Sequence, residues 1–129
     1  MGIINTLNIE ELKQQYRETG YVVIKNLLRD EVAQAAYEAL KNRVPWEFHY
    51  REMNTGRVGV VNPADLERLT PREIKRLVPT MATLKDNDFS FAYCRYTIPS
   101  GAADCPEPVR ILSEIFHYFN SDEYLGLLA

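Results

Sequence analysis

The sequence predicts an α+β protein, with helices packed on a small, mostly antiparallel sheet. Apolar residues recur at helical spacing near both ends of the chain, whereas they alternate with polar residues in its middle. The predicted order is helix, strand, helix, hairpin, short helices, strand, helix and helix. Such an order is typical of the α+β class. The 129 residues suffice for one domain with its own core.

The first helix is predicted over residues 8–18. Asn8 followed by Glu11 fits a capping box, in which the Asn side chain accepts from the first free amides and Glu reaches back. Gly20 predicts the end of the helix, because glycine adopts the left-handed C-cap conformation without strain. The apolar run at residues 21–24 then predicts a strand that is covered on both faces.

A second helix is predicted between Asp30, as its N-cap, and Pro45, which ends it. Its polar residues fall on one side. Its other side is a stripe of small and apolar residues, which suits a helix lying close against a sheet or another helix. This stripe consists of Val32, Ala35, Ala36, Ala39 and Leu40.

The period changes to two at Trp46, which predicts a half-buried strand. Residues 54–56, Asn-Thr-Gly, have turn chemistry, and residues 58–61 are predicted to return as the partner strand. Beyond this hairpin, Thr70 and Glu73 form a second capping box around Pro71 at the first helical position.

The longest strand signal covers residues 88–98, where Phe89, Phe91, Tyr93, Arg95 and Thr97 share one face. Pro108 is then predicted to open a helix. Ser121 is predicted to cap a last helix that reaches Ala129. The apolar stripe of the penultimate helix is expected to comprise Val109, Leu112, Ile115, Phe116 and Phe119.

Charge and composition exclude several classes of function. The 15 basic and 18 acidic residues give a net charge of −3, so the sequence has no basic footprint for nucleic acid or an acidic membrane. No apolar run is long enough to span a bilayer. The N-terminus has no signal-peptide pattern, so a cytoplasmic location is expected. Cys94 and Cys105 are expected to be reduced thiols there, with Cys94 a small buried apolar residue.

The segment LKQQYRETGYVVIKNLLRDEVAQAAYEAL, residues 12–40, resembles the N-terminal segment of 2-oxoglutarate- and iron(II)-dependent oxygenases of the prolyl-hydroxylase-like branch. The segment PEPVRILSEIFHYFNSDEYLGLLA, residues 106–129, is similar to the helical layer that precedes their metal-binding strands. The resemblance implies the opening part of a double-stranded β-helix, or jelly roll. It also implies hydroxylase-type oxidation of an unknown substrate, with Fe(II) and 2-oxoglutarate as cofactors.

The family's metal motif does not occur in this sequence. A non-haem iron centre of this type uses two histidines and one carboxylate, and the family places the first pair as His-x-Asp or His-x-Glu. His49 is followed by Tyr50 and Arg51, and His117 by Tyr118 and Phe119. We therefore assign no catalytic or metal-binding residue, and expect the chain alone to bind neither iron nor 2-oxoglutarate and to be inactive.

Three interpretations remain open. In the first, residues 1–129 are the N-terminal portion of an oxygenase, an incomplete domain whose catalytic core strands lie elsewhere. In the second, they are a single metal-free module of the same fold family that binds a protein partner. In the third, they are an unrelated small α+β domain. The apolar residues 125–129 predict self-association, or docking of a missing catalytic half.

Tyr93 and Arg95 are the candidate substrate- or cofactor-binding residues. Both share a strand face with aromatic residues, where a cation either stacks on rings or points into a polar cavity. The functional interpretation is that they line the mouth of the barrel. Glu114 and His117 have the spacing of one di-iron half-motif, but such a site needs two of these pairs, and a partly exposed helix histidine is the simpler expectation. His49 is expected to be a surface strand residue.

Overall fold

The computed structural model describes residues 2–51, 56–77 and 91–129, without the side chains of Leu77 and Ala102. It confirms an α+β protein that combines helices with a three-stranded antiparallel sheet. The chain divides into two compact units. The helical unit comprises Met1–Val44 and Ile98–Ala129, and the sheet unit comprises Pro45–Thr97.

The described elements follow the chain in nearly the predicted order. The helices are α1 (Ile9–Thr19), α2 (Asp30–Asn42), α3 (Pro63–Arg68), α4 (Pro71–Leu77), α5 (Arg110–Phe119) and α6 (Asp122–Leu128). The strands are β1 (Glu47–Arg51), β2 (Val58–Val61) and β3 (Ala92–Arg95). Two 3-10 turns, Ala102–Asp104 and Glu107–Val109, precede α5.

Both predicted ends of α1 are confirmed. The Asn8 side chain accepts a hydrogen bond from the Glu11 amide at 3.3 Å. The returning contact differs from the predicted capping box, because the Glu11 carboxylate accepts from the Asn8 side-chain amide instead of the backbone. Gly20 has φ 77°, and its amide closes the helix on the Tyr16 carbonyl. Local hydrogen bonding therefore sets the limits of α1.

The strand predicted at residues 21–24 is wrong, since these residues belong to none of the three strands. Tyr21 and Val23 are 62% and 59% exposed, so no second layer covers that side of the segment. Residues 3–5 pair instead with the chain just beyond it, through an antiparallel bridge between Ile4 and Leu28. This continuous apolar run is therefore irregular, because no strand in the part of the chain that the structure describes pairs with it.

The core of the helical unit lies where α2 meets α5 and the turn before it. Val32, Ala36 and Ala39 are buried on α2, as predicted, whereas Ala35 and Leu40 of the same stripe are exposed. Across the interface, Val109 and Leu112 are buried, and so is Ser113. Small side chains let two helices approach closely, which explains why the narrow alanine side of α2 was buried.

Two predicted helix starts are shifted. Asp30 is the first residue of α2 instead of its N-cap, and Arg29 holds the N-cap position without a side-chain hydrogen bond. Pro108 lies inside the 3-10 turn Glu107–Val109, so α5 begins two residues later, at Arg110. The predicted stripe of α5 is only partly buried, because Phe116 remains 45% exposed. Ser121 caps α6 as predicted, accepting from the Tyr124 amide.

The sheet has the order β2-β1-β3, with both neighbours antiparallel to the central strand. The predicted pairing of the hairpin strands is confirmed, and its register pairs Tyr50 with Gly59. Asn54 and Thr55 of the predicted turn lie outside the described residues. The Tyr50 ring lies directly on this glycine, so closely that a Cβ at position 59 would overlap the ring. The long strand predicted at residues 88–98 is confirmed only at Ala92–Arg95, and residues 88–90 lie outside the described residues.

Both short helices of the sheet unit carry side-chain caps. Asn62 accepts from the Asp65 amide at the start of α3. At the start of α4, the Thr70 hydroxyl accepts from the Glu73 amide while the Glu73 carboxylate accepts from the Thr70 amide at 2.7 Å. This reciprocal pair is the capping box that the sequence predicts. None of the described helices is both long and apolar enough to cross a membrane.

Candidate functional site

Tyr93 and Arg95 project from one face of the edge strand β3. Arg95 lies opposite Glu47 in the ladder, and Tyr93 lies opposite His49. Tyr93 is 48% exposed and Arg95 is also exposed, so the described residues do not enclose either side chain in a barrel mouth. The role of both residues in binding stays a prediction.

His49 is more covered than its alternating pattern predicts. Its ring stacks on Tyr93, with centroids 5.4 Å apart and planes 3° from parallel. Nε2 lies 3.1 Å from a Glu47 carboxylate oxygen, and only 13% of the side chain is exposed. The pattern did not show that β1 is the central strand, where a neighbour on each side covers the ring. The arrangement of His49, Tyr93, Glu47 and Arg95 is an aromatic and charged patch on one sheet face.

His117 uses its ring to join α5 to the preceding loop. Nδ1 lies 2.7 Å from the Ser113 carbonyl oxygen and 3.3 Å from the Ser113 hydroxyl, and Nε2 lies 3.0 Å from the Ser100 carbonyl oxygen. Both ring nitrogens therefore have partners within the helical unit. The predicted helix histidine is confirmed, although it is exposed instead of partly exposed, and both ring nitrogens of this half of a di-iron motif are occupied.

The two cysteines differ in their exposure to solvent. Both thiols are free, as predicted, but Cys94 is exposed on β3, whereas Cys105 is buried. The prediction of a buried Cys94 is wrong, because it is placed on an edge strand and not on the central one. Cys105 instead belongs to the small core beside Val109.

The described residues do not fit the iron centre that the resemblance implies. No three His, Cys, Asp or Glu side chains among them converge as a metal site. His49 has one carboxylate neighbour, and His117 is occupied by backbone carbonyls. An iron(II) centre of this type needs two imidazoles and a carboxylate on one face. We therefore derive no chemical step through a metal from these residues.

A groove between α1 and α6 is a concave feature of the helical unit. Its volume is about 690 Å³, within the range of ligand pockets. We call it the α1–α6 groove. It is lined by Leu7, Ile9, Leu12, Lys13, Tyr16, Arg17, Val22, Ile24, Tyr124, Leu127, Leu128 and Ala129.

The lining of the α1–α6 groove is exposed apolar surface. Tyr16 is 60% exposed and Leu128 64% exposed, and neither helix has a buried residue. The apolar residues of α1 form one wall. An aromatic cluster attaches the other wall to α5, since the Phe119 and Tyr124 rings meet edge to face at 4.8 Å.

Two cationic side chains line the groove. Lys13 and Arg17 stand one turn apart on α1 and line it. Asp122 and Glu123 stand in the first turn of α6. Partial burial raises the pKa of the Tyr118 phenol, and the Glu123 carboxylate adds to this effect. The Glu123 carboxylate in the first turn of α6 therefore disfavours ionisation of Tyr118, which belongs to the aromatic cluster.

The sequence analysis did not identify the groove. It recognised the apolar end of the chain and the stripe of α1, but helical periodicity does not show which helices become neighbours. A signal was nevertheless present. Lys13 and Arg17 directly border the apolar residues Leu12 and Tyr16, a pattern typical of the rim of a binding face.

Comparisons with protein-family models, with curated proteins and with solved structures find no match to this chain.

Proposed function

We propose that residues 1–129 form the N-terminal, non-catalytic portion of a 2-oxoglutarate- and iron(II)-dependent oxygenase of the prolyl-hydroxylase-like branch. In this proposal the sheet unit contributes the first strands of a jelly roll, and the helical unit corresponds to the helical layer of the family. The enzyme would carry out a hydroxylase-type oxidation in the cytoplasm. Its iron would be held by residues that this sequence does not contain.

One structural observation carries the proposal. The helices α1 and α2, the antiparallel sheet rich in aromatic residues and the α5–α6 pair follow the order of the resembling segments, although residues 21–24 do not form the strand that the resemblance implies. The proposal adds a role for Tyr93 and Arg95. A guanidinium beside a phenol suits a carboxylate-bearing substrate or co-substrate, because Arg binds carboxylates through two parallel hydrogen bonds.

An anaerobic titration with Fe(II) and 2-oxoglutarate tests the assignment of the metal to other residues. We expect no visible charge-transfer band from this chain alone. A band at one iron per chain would contradict the assignment, and His49→Ala and His117→Ala would then be compared for loss of the band. Zn(II) in place of Fe(II) is the matched control, because it forms no such band.

A chimera tests the fold assignment itself. Residues 1–129 would replace the corresponding N-terminal portion of a characterised oxygenase of this branch, and succinate formation from 2-oxoglutarate would be followed. We expect the chimera to recover the chelate band and turnover, and its Arg95→Ala variant to keep the iron band while losing affinity for substrate or 2-oxoglutarate. A folded chimera without an iron band would overturn the proposal.

A second candidate function, a metal-free protein-binding module, is favoured by the edge strand β2. Val58 and Val60 are exposed there, on a strand that pairs on one side with β1 in the described residues. An extended peptide adds to such an edge through backbone hydrogen bonds. The coding sequence beyond Ala129 separates the two candidates: a His-x-Asp motif a short distance downstream supports the oxygenase, and an immediate natural stop codon supports the module.

A further inference from the structure

The α1–α6 groove combines an aliphatic lining with charge of one sign. Its two charged side chains, Lys13 and Arg17, are both cationic, and no described residue that lines it has an acidic side chain. Most of the other lining residues are leucine, isoleucine or valine, which offer a surface for hydrocarbon but no directional contact. The groove therefore suits a ligand that is apolar along its length and carries a negative charge. These aliphatic residues are Leu7, Ile9, Leu12, Val22, Ile24, Leu127 and Leu128.

Both cations of the groove are available to a ligand. Lys13 and Arg17 are exposed, and neither takes part in an ion pair with another described residue. Glu10 lies three residues before Lys13 on α1, but it forms no ion pair with it and does not line the groove. Residues four apart stand side by side on a helix, so the ammonium and the guanidinium can share one carboxylate.

We propose that the α1–α6 groove binds one free long-chain carboxylate, the chemistry of a fatty acid. The carboxylate would lie at Lys13 and Arg17, and the alkyl chain would lie along the aliphatic residues of α1 and α6. The groove volume of about 690 Å³ is in the range that accommodates one small ligand. This inference is independent of the oxygenase proposal, since it uses neither iron nor the sheet unit.

A single ligand molecule fits this groove better than an anionic membrane surface does. Five carboxylates stand on the two helices outside the lining, and the net charge of the chain is −3. A bilayer extends beyond the groove and would be repelled by these groups, whereas one bound molecule contacts the lining residues alone. The five carboxylates are those of Glu10, Glu11, Glu18, Asp122 and Glu123.

Two ligands that differ only in the charge of the head group test the proposal. Isothermal titration calorimetry of the full chain would use dodecanoate and dodecyltrimethylammonium, each below its micelle concentration. We expect one dodecanoate per chain, and binding of the cationic ligand weaker by at least about tenfold, because Lys13 and Arg17 repel it. Amide NMR shifts are expected to change along α1 and α6. Absence of dodecanoate binding, or equal affinity for the two ligands, would overturn the proposal.

Charge reversal in the groove gives the sharper readout. The variant K13E/R17E is expected to bind dodecanoate at least about tenfold more weakly and to prefer dodecyltrimethylammonium. The control is K41E/R43E, which makes the same charge change in the helical unit at exposed residues outside the lining. We expect it to keep the affinity within about twofold, because salt screens distant exposed charges. Equal weakening in both variants, or an unchanged preference in K13E/R17E, would contradict the site.

Sedimentation distinguishes the other occupants of the groove. With vesicles of phosphatidylglycerol, we expect the chain to stay in the supernatant, because its carboxylates oppose an anionic bilayer. Vesicle binding that K13E/R17E abolishes would assign the groove to a membrane surface instead. Without vesicles, a dimer that dodecanoate does not dissociate, and that forms with loss of dodecanoate binding, would assign it to a second copy. Either result would overturn the proposal of a free ligand.

Discussion

Helical spacing of apolar residues leads to burial in one part of the helical unit and to exposure in another. Along α2, the small residues Ala36 and Ala39 are buried against α5. Along α1 and α6, larger residues at equally regular spacing, such as Tyr16 and Leu128, remain exposed beside a groove. The difference is one of side-chain size, because small residues let helices touch, whereas large ones need a partner that reaches between them.

The largest expected effect is the difference in the free energy of unfolding lost when a core leucine and a groove leucine are each replaced by alanine. Leu112→Ala removes a buried side chain from the α2–α5 contact, and we expect it to lower the free energy of unfolding by about 2–4 kcal/mol. Leu128→Ala removes the same atoms from an exposed wall, and we expect less than about 1 kcal/mol in the monomer. Urea unfolding followed by circular dichroism measures both at a concentration where the chain is monomeric. Equal losses would show that the groove is a packed core in solution.

A smaller effect is expected at the cap of α1. Because no residue of α1 is buried, its stability depends on local hydrogen bonds more than that of α2 does. Asn8→Ala removes the acceptor for the Glu11 amide, and we expect a loss of about 1 kcal/mol. Hydrogen exchange of the α1 amides should show it, with the α2 amides unchanged as the internal reference. Exchange that accelerates equally in both helices would mean that α1 does not open on its own.

The smallest effect concerns the other capping box, at Thr70 and Glu73. Hydrogen bonds from the Thr70 amide and hydroxyl lower the pKa of the Glu73 carboxyl, with a smaller contribution from Arg76. A lowered folded-state pKa contributes stability above the ordinary pKa of the carboxyl, and this contribution is lost as pH falls through the folded value. An NMR titration should find a depressed pKa that returns part of the way towards the ordinary range in Thr70→Ala, which removes the hydroxyl donor but keeps the amide. A pKa that Thr70→Ala leaves unchanged would contradict this cause.

Most of the helix ends that local chemistry decides were predictable, although the starts of α2 and α5 were shifted. The caps at Asn8, Gly20, Thr70 and Ser121 and the β1–β2 hairpin depend on neighbours within a few residues, and the structure has them where the sequence indicates. The strand predicted at residues 21–24 depended on a distant partner instead. Its apolar composition is equally compatible with a segment that lines a groove, which is where Val22 and Ile24 lie.

The candidate site was less predictable for the same reason. Alternation placed Tyr93 and Arg95 on one strand face, and the ladder agrees with that placement. It did not reveal that β1 is central, so the coverage of His49 and the exposure of Cys94 were both missed. Strand order is set by pairing between distant segments, and a single-strand pattern does not contain it.

The contact between Tyr50 and Gly59 has a consequence for how the hairpin aligns. Gly59 is flanked by Val58 and Val60, so a shift of either strand by one residue would bring a branched side chain to the position opposite Tyr50. The ring rests on bare backbone in the observed alignment, and a valine there would displace it. Gly59 therefore favours a single register between the aromatic strand β1 and the valine-rich strand β2.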